Sequence, residues 1–239
     1  MSSNSPIVVD GVANFRSTEG FRSGNGVVRA GRLFRSGSLQ AITETGQETV
    51  TGLGVRTLVD LRTDAERSGW PDRVWPGVRV LGCPILDDEQ DDEQDDEQDD
   101  EQDDEQDDEQ DDEQTDTMSD IYRGIIRDRS EQLAAAVRAV ADSGDHGVIV
   151  HCYAGTDRTG LVVAIMLLAV GVDRDAVVGD YAASHSDADD RRSATELMTV
   201  TLDELDRLYG DAAGLLTAEG FTSDDLQRLH EWLIDVDPG

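Results

Sequence analysis

Basic residues are scarce in this chain of 239 residues. It holds 20 arginines and no lysine against 53 acidic residues, which gives a formal charge of -33. A protein that binds DNA or RNA through the phosphate backbone needs clustered cationic side chains. The composition therefore argues against a nucleic-acid partner.

Cysteines and long apolar runs are also few. Cys83 and Cys152 are the two cysteines; they cannot form a disulfide framework, and no four-ligand zinc spacing is present, which favours a reducing compartment. The longest apolar run, residues 161–170, is about half the length of a membrane span, and the first ten residues lack a signal-peptide pattern. We expect no membrane segment and a cytoplasmic location, with secretion by a signal-independent route as the alternative.

One low-complexity segment holds most of the acidic excess. Residues 87–114 repeat DDEQ seven times and contribute 21 acidic residues, so the other 211 residues carry a charge of -12. In a helix, the period of four would stack Asp on Asp and Glu on Glu, and each such pair is repulsive. The tract is therefore predicted to be a disordered surface insertion within a single domain of residues 1–239. A platform for Ca²⁺ or for a basic partner is the alternative.

Outside the tract, strand and helix patterns alternate. Short β-branched segments predict strands, and longer segments of helical period predict helices. The predicted strands are residues 55–61, 78–83 and 147–151, with a hairpin of residues 27–29 and 32–35; the predicted helices are residues 43–53, 63–68 and 158–170, one or two within 118–142, and several after residue 173. This order indicates an α/β fold with a central, largely parallel sheet flanked by helices and a helical C-terminal part.

The segment with the clearest chemistry is HCYAGTDRTG, residues 151–160. Cys152 follows a predicted buried strand, and Arg158 begins a predicted buried helix. A loop that closes onto a helix N-terminus directs several backbone N–H groups at one point, where a phosphate dianion can bind. Arg158 can add two hydrogen bonds to phosphate oxygens, and the same positive environment favours the nucleophilic thiolate of Cys152. Gly155 supplies the backbone freedom that the loop needs.

This loop resembles the HCxxGxDRTG signature of bacterial cysteine-dependent protein tyrosine phosphatases. The resemblance extends to Asn14-Phe15-Arg16, to the segments RLFRSG (32–37) and RTLVDLR (56–62), and to Asp180-Tyr181. It implies a protein tyrosine phosphatase that acts through a phosphocysteine intermediate on phosphotyrosine-containing protein substrates, without metal or cofactor. The implied catalytic residues are Cys152, Arg158 and Asp157; the implied phosphate-binding residues are Tyr153, Ala154, Gly155, Thr156, Thr159 and Gly160.

Four aspartates compete for the role of general acid. Asp157 lies inside the loop, and the equivalent position in the resembled family is implicated in catalysis. Asp72 belongs to a Trp-Pro-Asp triplet like that of the larger eukaryotic enzymes, but it lies early in the chain. Asp87 is 65 residues before Cys152, or 37 without the tract, and the same deletion would bring Asp116 to that place. Asp157 is favoured, and the other three remain alternatives.

Three further residues in or near the loop have predicted roles. His151 is expected to orient the loop, and the hydroxyl of Thr159 is expected to stabilise the thiolate. Thr156 stands where family members that are suspected phosphoinositide phosphatases often carry lysine, which favours protein monoesters as substrates. A phosphoinositide phosphatase and a catalytically silent phosphate-binding module remain the alternatives.

Cys83 suggests a protective disulfide. It ends a strand expected to neighbour the strand of Cys152, so it is a candidate to resolve an oxidised Cys152. A buried core cysteine is the simpler interpretation.

Overall fold

Short β-branched segments form the centre of the fold. The computed structural model describes residues 7–24, 26–88, 108–185 and 188–236. The strands within these ranges are β1 (Arg16–Ser17), β2 (Arg22–Ser23), β3 (Gly26–Val28), β4 (Leu33–Ser36), β5 (Val55–Asp60), β6 (Arg79–Gly82), β7 (Gly147–His151) and β8 (Ile234–Val236).

Five strands form the main sheet in the order β1-β4-β7-β5-β6, with β1 antiparallel to β4 and the remaining pairs parallel. All five residues of β7 are buried. Val148 and Val150 belong to one core cluster and Ile149 to the other, because successive side chains of a strand point to opposite faces. Burial on both faces is typical of parallel sheets. It places the end of β7, and hence Cys152, between the ends of β4 and β5.

The helices cover both faces of this sheet. They are α1 (Glu44–Gly52), α2 (Asp64–Gly69), α3 (Asp108–Asp128), α4 (Ser130–Ala141), α5 (Asp157–Ala169), α6 (Arg174–Ala182), α7 (Ala188–Tyr209), α8 (Ala212–Ala218) and α9 (Ser223–Leu233). Helix α5 is buried on every side from residue 158 to residue 167, as its uniformly apolar sequence predicts. Among the described residues, no helix is both long and apolar enough to cross a membrane.

The predicted α/β class, with its largely parallel sheet and helical C-terminal part, is confirmed. The predicted hairpin of residues 27–29 with 32–35 is wrong. Strand β3 pairs with β2 and β8 in a separate antiparallel sheet, whereas β4 pairs with β7. Gly31 has a φ of +73°, and the N–H of Arg29 donates to the carbonyl of Leu233 at 2.8 Å. The chain therefore turns away from β3 before β4 begins.

The acidic tract is described only at its two ends. Residues 89–107 lie outside the described residues. Residues 108–114 form the first two turns of α3, where the sequence predicts disorder. A helix extends from a packed nucleus at low cost, and α3 has such a nucleus at Tyr122, Ile125 and Ile126, which are buried. Acidic residues also suit the positive end of the helix dipole.

Candidate active site

The cysteine loop, residues 151–160, connects β7 to α5. Cys152 is 2% exposed, and the backbone N–H of Gly155 donates to its Sγ at 3.3 Å. Helix α5 begins at Asp157, so its N-terminal N–H groups and the positive end of its dipole lie at the loop. The sulfur therefore accepts a backbone N–H beside the positive end of a helix, an arrangement that favours an anionic nucleophile or a bound phosphate.

The first half of the loop is anchored on the end of β4. The carbonyl of Tyr153 accepts from the N–H of Ser38 at 2.8 Å. Gly155 has a φ of +81°, and a Cβ at this position would lie 2.4 Å from the carbonyl of Ser36. Only glycine allows both this backbone conformation and this close approach.

Two side chains from outside the loop donate hydrogen bonds to the carbonyls of residues 154–156. Asn14 Nδ2 donates to the carbonyls of Ala154 (3.4 Å) and Gly155 (3.2 Å). Arg35 Nη2 donates to the carbonyls of Gly155 (2.9 Å) and Thr156 (3.2 Å). The C=O and N–H of one peptide unit point in opposite directions. Holding the carbonyls on the outside therefore turns the amides of these peptides towards the inside, where Cys152 lies.

A buried ionic cluster fixes Arg35 in turn. Arg35 is fully buried, and its Nη1 lies 2.6 Å from Oδ2 of Asp180 on α6. Arg16 Nε lies 3.5 Å from Asp180 Oδ1, and both arginines donate to Oγ of Ser184. Burial, followed by the charge of Arg35, lowers the pKa of Arg16 to about 10, so Arg16 stays charged at neutral pH. The loop therefore depends on strands β1 and β4 and on helix α6.

Arg158 is held by a carboxylate from another helix. Its Nη1 and Nη2 donate to Oε2 (2.5 Å) and Oε1 (2.9 Å) of Glu66, and both side chains are buried. Glu66 also completes the capping box of α2 with Thr63, through bonds of 2.7 and 3.2 Å. From the sequence alone, the Thr-x-x-Glu pattern identifies Glu66 as a helix-capping residue. The pattern does not indicate that Glu66 pairs with Arg158, 92 residues away.

Two tyrosines bind the carboxylate of Asp157. Tyr122 on α3 donates its hydroxyl to Asp157 Oδ1, Tyr181 on α6 donates to the same oxygen at 3.3 Å, and the two hydroxyls lie 2.6 Å apart. Burial, followed by the charge of Asp157, raises the pKa of each tyrosine well above its ordinary value. Both therefore remain neutral donors. Both hydrogen bonds end on Oδ1 rather than Oδ2 of the carboxylate.

The remaining loop residues support this arrangement. A Cβ on Gly160 would lie 2.5 Å from Cδ2 of Tyr181, so the missing side chain lets the Tyr181 ring pack against α5. Thr159 is fully buried, and its Oγ1 has no hydrogen-bond partner within the described part of the chain. That hydroxyl fits the predicted role as a donor to the nucleophile or to phosphate.

The other candidate acids are placed differently. The side chain of Asp72 is 3% exposed and accepts from the N–H of Leu39 at 2.7 Å, while its Oδ2 lies 2.9 Å from Arg62 Nη2. Asp87 is 68% exposed and pairs with Arg129 at 2.6 Å. Asp116 belongs to α3, and its side chain lies outside the described residues. Asp157 is the candidate that the described structure places in the loop.

His151 contacts the same buried carboxylates from the strand side. Its Nε2 lies 3.2 Å from Asp72 Oδ2 and its Nδ1 lies 4.0 Å from Asp60 Oδ1. These three residues offer ligand atoms within 4.8 Å of one another. Arg62 pairs with both aspartates, however, so a guanidinium already supplies the positive charge there. The cluster joins the base of the loop to the Trp70-Pro71-Asp72 segment.

The expectation for the strand of Cys83 is wrong. The N–H of Cys83 donates to the carbonyl of Asp60 at 2.8 Å, so Cys83 follows β6, and β5 lies between β6 and β7. Two strand spacings of about 4.8 Å each exceed the Cα separation of about 7 Å that a disulfide can bridge. Burial also raises the pKa of the Cys83 thiol. A disulfide with Cys152 would require backbone movement.

Two exposed aromatic rings flank the loop. Trp70 is 52% exposed and Tyr153 is 49% exposed, and their ring centroids lie 6.0 Å apart in an edge-to-face arrangement. Trp70 follows α2, the helix that carries Glu66. The paired rings therefore lie at the protein surface, where the end of α2 meets the cysteine loop.

Known proteins resemble this chain over most of its length. A sequence profile described as "Tyrosine phosphatase family" matches residues 7–235. The chain is 32% identical over 173 residues to the triple specificity protein phosphatase PtpB of Mycobacterium tuberculosis, covering 66% of this chain and 62% of that protein. It is 24% identical over 236 residues to a tyrosine-protein phosphatase of Nostoc commune, covering 84% of this chain and 74% of that protein.

A solved structure is also similar. The crystal structure of P. aeruginosa TpbA in complex with pTyr is 21% identical, with a TM-score of 0.40, and covers 83% of this chain and 91% of that chain. The match with the M. tuberculosis protein spans less than two thirds of that protein's length.

Proposed function

The chain belongs to the tyrosine phosphatase family, and from this membership we propose that it hydrolyses phosphotyrosine in proteins through a phosphocysteine intermediate. The observation that carries the proposal is the position of Cys152: its Sγ accepts the N–H of Gly155 at the start of α5, in a loop whose carbonyls are held on the outside. Such a site binds a tetrahedral dianion and presents a sulfur nucleophile to it.

Binding of the substrate uses the inward amides and Arg158. The amides of residues 153–158 bind the equatorial phosphate oxygens, and Arg158 adds a two-point contact to two of them. Glu66 positions Arg158 before substrate arrives, since the paired guanidinium is already fixed on the loop side of α2. This fixed geometry reduces the reorganisation required on binding.

In the first chemical step the thiolate of Cys152 attacks phosphorus and the bond to the ester oxygen breaks. Oδ2 of Asp157, in its protonated form, gives its proton to the departing oxygen. In the second step water attacks the phosphocysteine, the carboxylate of Asp157 takes a proton from that water, and the thiolate leaves with inorganic phosphate as the second product. The amides and Arg158 stabilise the charge on the transferring group throughout.

The substrate class follows from the loop and from the family. Thr156 provides no cation to bind additional phosphate groups, which supports monoesters on protein over inositol lipids. The relative in M. tuberculosis is named a triple specificity phosphatase. For this chain phosphotyrosine is the main substrate, with phosphoserine and phosphothreonine as minor ones.

The two free cysteines fit a reducing compartment such as the cytoplasm.

Hydrolysis of para-nitrophenyl phosphate in the presence of EDTA tests the proposal. We expect turnover by the unsubstituted chain, none by Cys152→Ser, and a loss of about 100-fold in kcat for Asp157→Asn. The exposed Asp189 on α7 provides the control, and Asp189→Asn should keep full activity. Undiminished turnover by Cys152→Ser would contradict the mechanism. Phosphate binding without turnover by the unsubstituted chain would favour the silent binding module.

A further inference from the structure

We propose that Trp70 and Tyr153 form an aromatic rim that selects aryl phosphate esters over alkyl phosphate esters at Cys152. The inference rests on the proposed function, because the rim would act on an ester whose phosphate is bound in the cysteine loop. It assigns Trp70, a residue outside the signature loop, as a determinant of specificity.

The exposure of the two rings is the first observation. Trp70 and Tyr153 are each about half exposed, although large aromatic side chains are normally buried. Their edge-to-face contact at 6.0 Å leaves further ring surface available to a third aromatic group. Tyr153 directly follows the nucleophile in sequence, so the pair of rings lies at the cysteine loop.

The rigidity of Trp70 is the second observation. Its N–H donates to the carbonyl of Glu66 at 2.8 Å, and its carbonyl accepts from Arg62 Nη1 at 2.9 Å. Asp72, two residues later, is locked by Arg62 and by the N–H of Leu39. A side chain on so fixed a backbone loses little freedom when a ligand packs against it.

The link through α2 is the third observation. Glu66, which holds Arg158, lies in α2, and Trp70 is the residue at which this helix ends. Helix α2 therefore directs Glu66 towards the phosphate-binding arginine and Trp70 towards the ring of Tyr153. One short helix sets the relation between the phosphate group and the aromatic rim.

The chemistry of the ester decides what the rim can recognise. A phenyl ester brings a ring that can pack against Trp70 and Tyr153, and aromatic pairs add attraction beyond simple burial. A seryl or methyl ester brings no ring. The Trp-Pro-Asp triplet thus provides ring recognition through Trp70 and structural support through Asp72.

Binding of two simple esters to Cys152→Ser tests the rim without turnover. We expect phenyl phosphate to bind about tenfold more tightly than methyl phosphate. Trp70→Ala should reduce this preference to about threefold or less, with the affinity for methyl phosphate unchanged, whereas Trp70→Phe should keep it. Tyr153→Ala should also reduce the preference to about threefold or less. Val74, a 55% exposed apolar residue of the same segment, provides the control, and Val74→Ala should keep the preference.

The outcomes separate the rim from the proposed function. Equal binding of both esters by the parent, or a preference that survives both alanine substitutions, overturns the rim and leaves the phosphatase proposal standing. A parent that binds neither ester overturns both. Tyr153→Ala provides the readout if Trp70→Ala fails to fold, because the Tyr153 side chain is half exposed.

Discussion

Two tyrosine hydroxyls bind the same carboxylate oxygen of Asp157, and this arrangement predicts the effect of removing one. Tyr122→Phe deletes the donor from α3 and keeps the buried ring. The carboxylate then loses a charge-assisted hydrogen bond and with it part of its orientation. We expect kcat to fall about tenfold with KM changed less than twofold, as measured by steady-state hydrolysis of an aryl phosphate.

Tyr209→Phe is the matched control for that substitution. Tyr209 on α7 donates to the carbonyl of Ile126 at 3.5 Å, so it bonds α3 but does not touch the loop. It should keep the full kcat. Equal losses in both variants would assign Tyr122 to the packing of α3 alone.

Gly155 allows a similar paired experiment. Gly155 and Gly54 have nearly the same φ, +81° and +83°, but a Cβ would collide with Ser36 at the first position and meet nothing within 4 Å at the second. We expect Gly54→Ala to cost about 1 kcal/mol in unfolding free energy and to keep activity. Gly155→Ala should lower kcat/KM at least about 100-fold because the loop must shift. Urea unfolding and steady-state kinetics provide the two readouts, and near-normal kinetics in Gly155→Ala would contradict the anchoring of the loop on β4.

The segment between α2 and β6 depends on a buried carboxylate, and its stability should depend on pH. Burial tends to raise the pKa of Asp72, but the contact with His151, the charge of Arg62 and the N–H of Leu39 outweigh it and lower the pKa. A lowered pKa in the folded state stabilises the fold above the pKa of the unfolded chain, and this contribution is lost as pH falls below about 4. Asp72→Asn should therefore cost about 3 kcal/mol at pH 7 and less at pH 3.

The kinetics of Asp72→Asn distinguish a structural role of Asp72 from a role as the general acid. If Asp72 only supports the segment, the alkaline limb of the pH–kcat profile stays where it is in Asp72→Asn, whereas Asp157→Asn flattens it. A flattened limb in Asp72→Asn, with the stability difference constant between pH 7 and pH 3, would make Asp72 the acid.

The sequence predicts helices and buried strands better than it predicts which distant strands and side chains pair with one another. Residues 147–151 were predicted as a strand and form β7 with the same bounds, because a short apolar run between breaks has one stable arrangement in a parallel sheet. The hairpin failed because β3 pairs with β2 and with β8. Strand β8 lies about 200 residues further along the chain, and no local pattern encodes that distance. The partners of Arg158 and Asp157, Glu66 and Tyr122, were missed for the same reason.

The negative charge of the molecule should slow its association with an anionic substrate. Residues 89–107 contain 14 acidic residues, and they lie between Asp87, which pairs with Arg129, and helix α3, which carries Tyr122. Replacing those acids with Asn and Gln keeps the length, the ion pair and the helix. We expect kcat/KM for a dianionic substrate to rise about two- to threefold at 10 mM ionic strength, where the Debye length is about 30 Å.

Salt is the internal control for this prediction. At 0.5 M ionic strength the screening length falls to only a few Å, so the two proteins should have the same kcat/KM, and kcat should agree at both salt concentrations. Equal kinetics at low salt would mean that the tract has no electrostatic effect on the site.

The outside anchoring of the cysteine loop limits how far the ten-residue signature could be transplanted. Ser38, Asn14 and Arg35 hold its carbonyls, and they come from two separate segments of the chain, at residue 14 and at residues 35–38. A graft of residues 151–160 onto a foreign strand and helix would carry the nucleophile and the arginine without the donors that turn the amides inward. Such a chimera would keep a reactive thiol while losing its affinity for phosphate, unless the three donors were grafted with it.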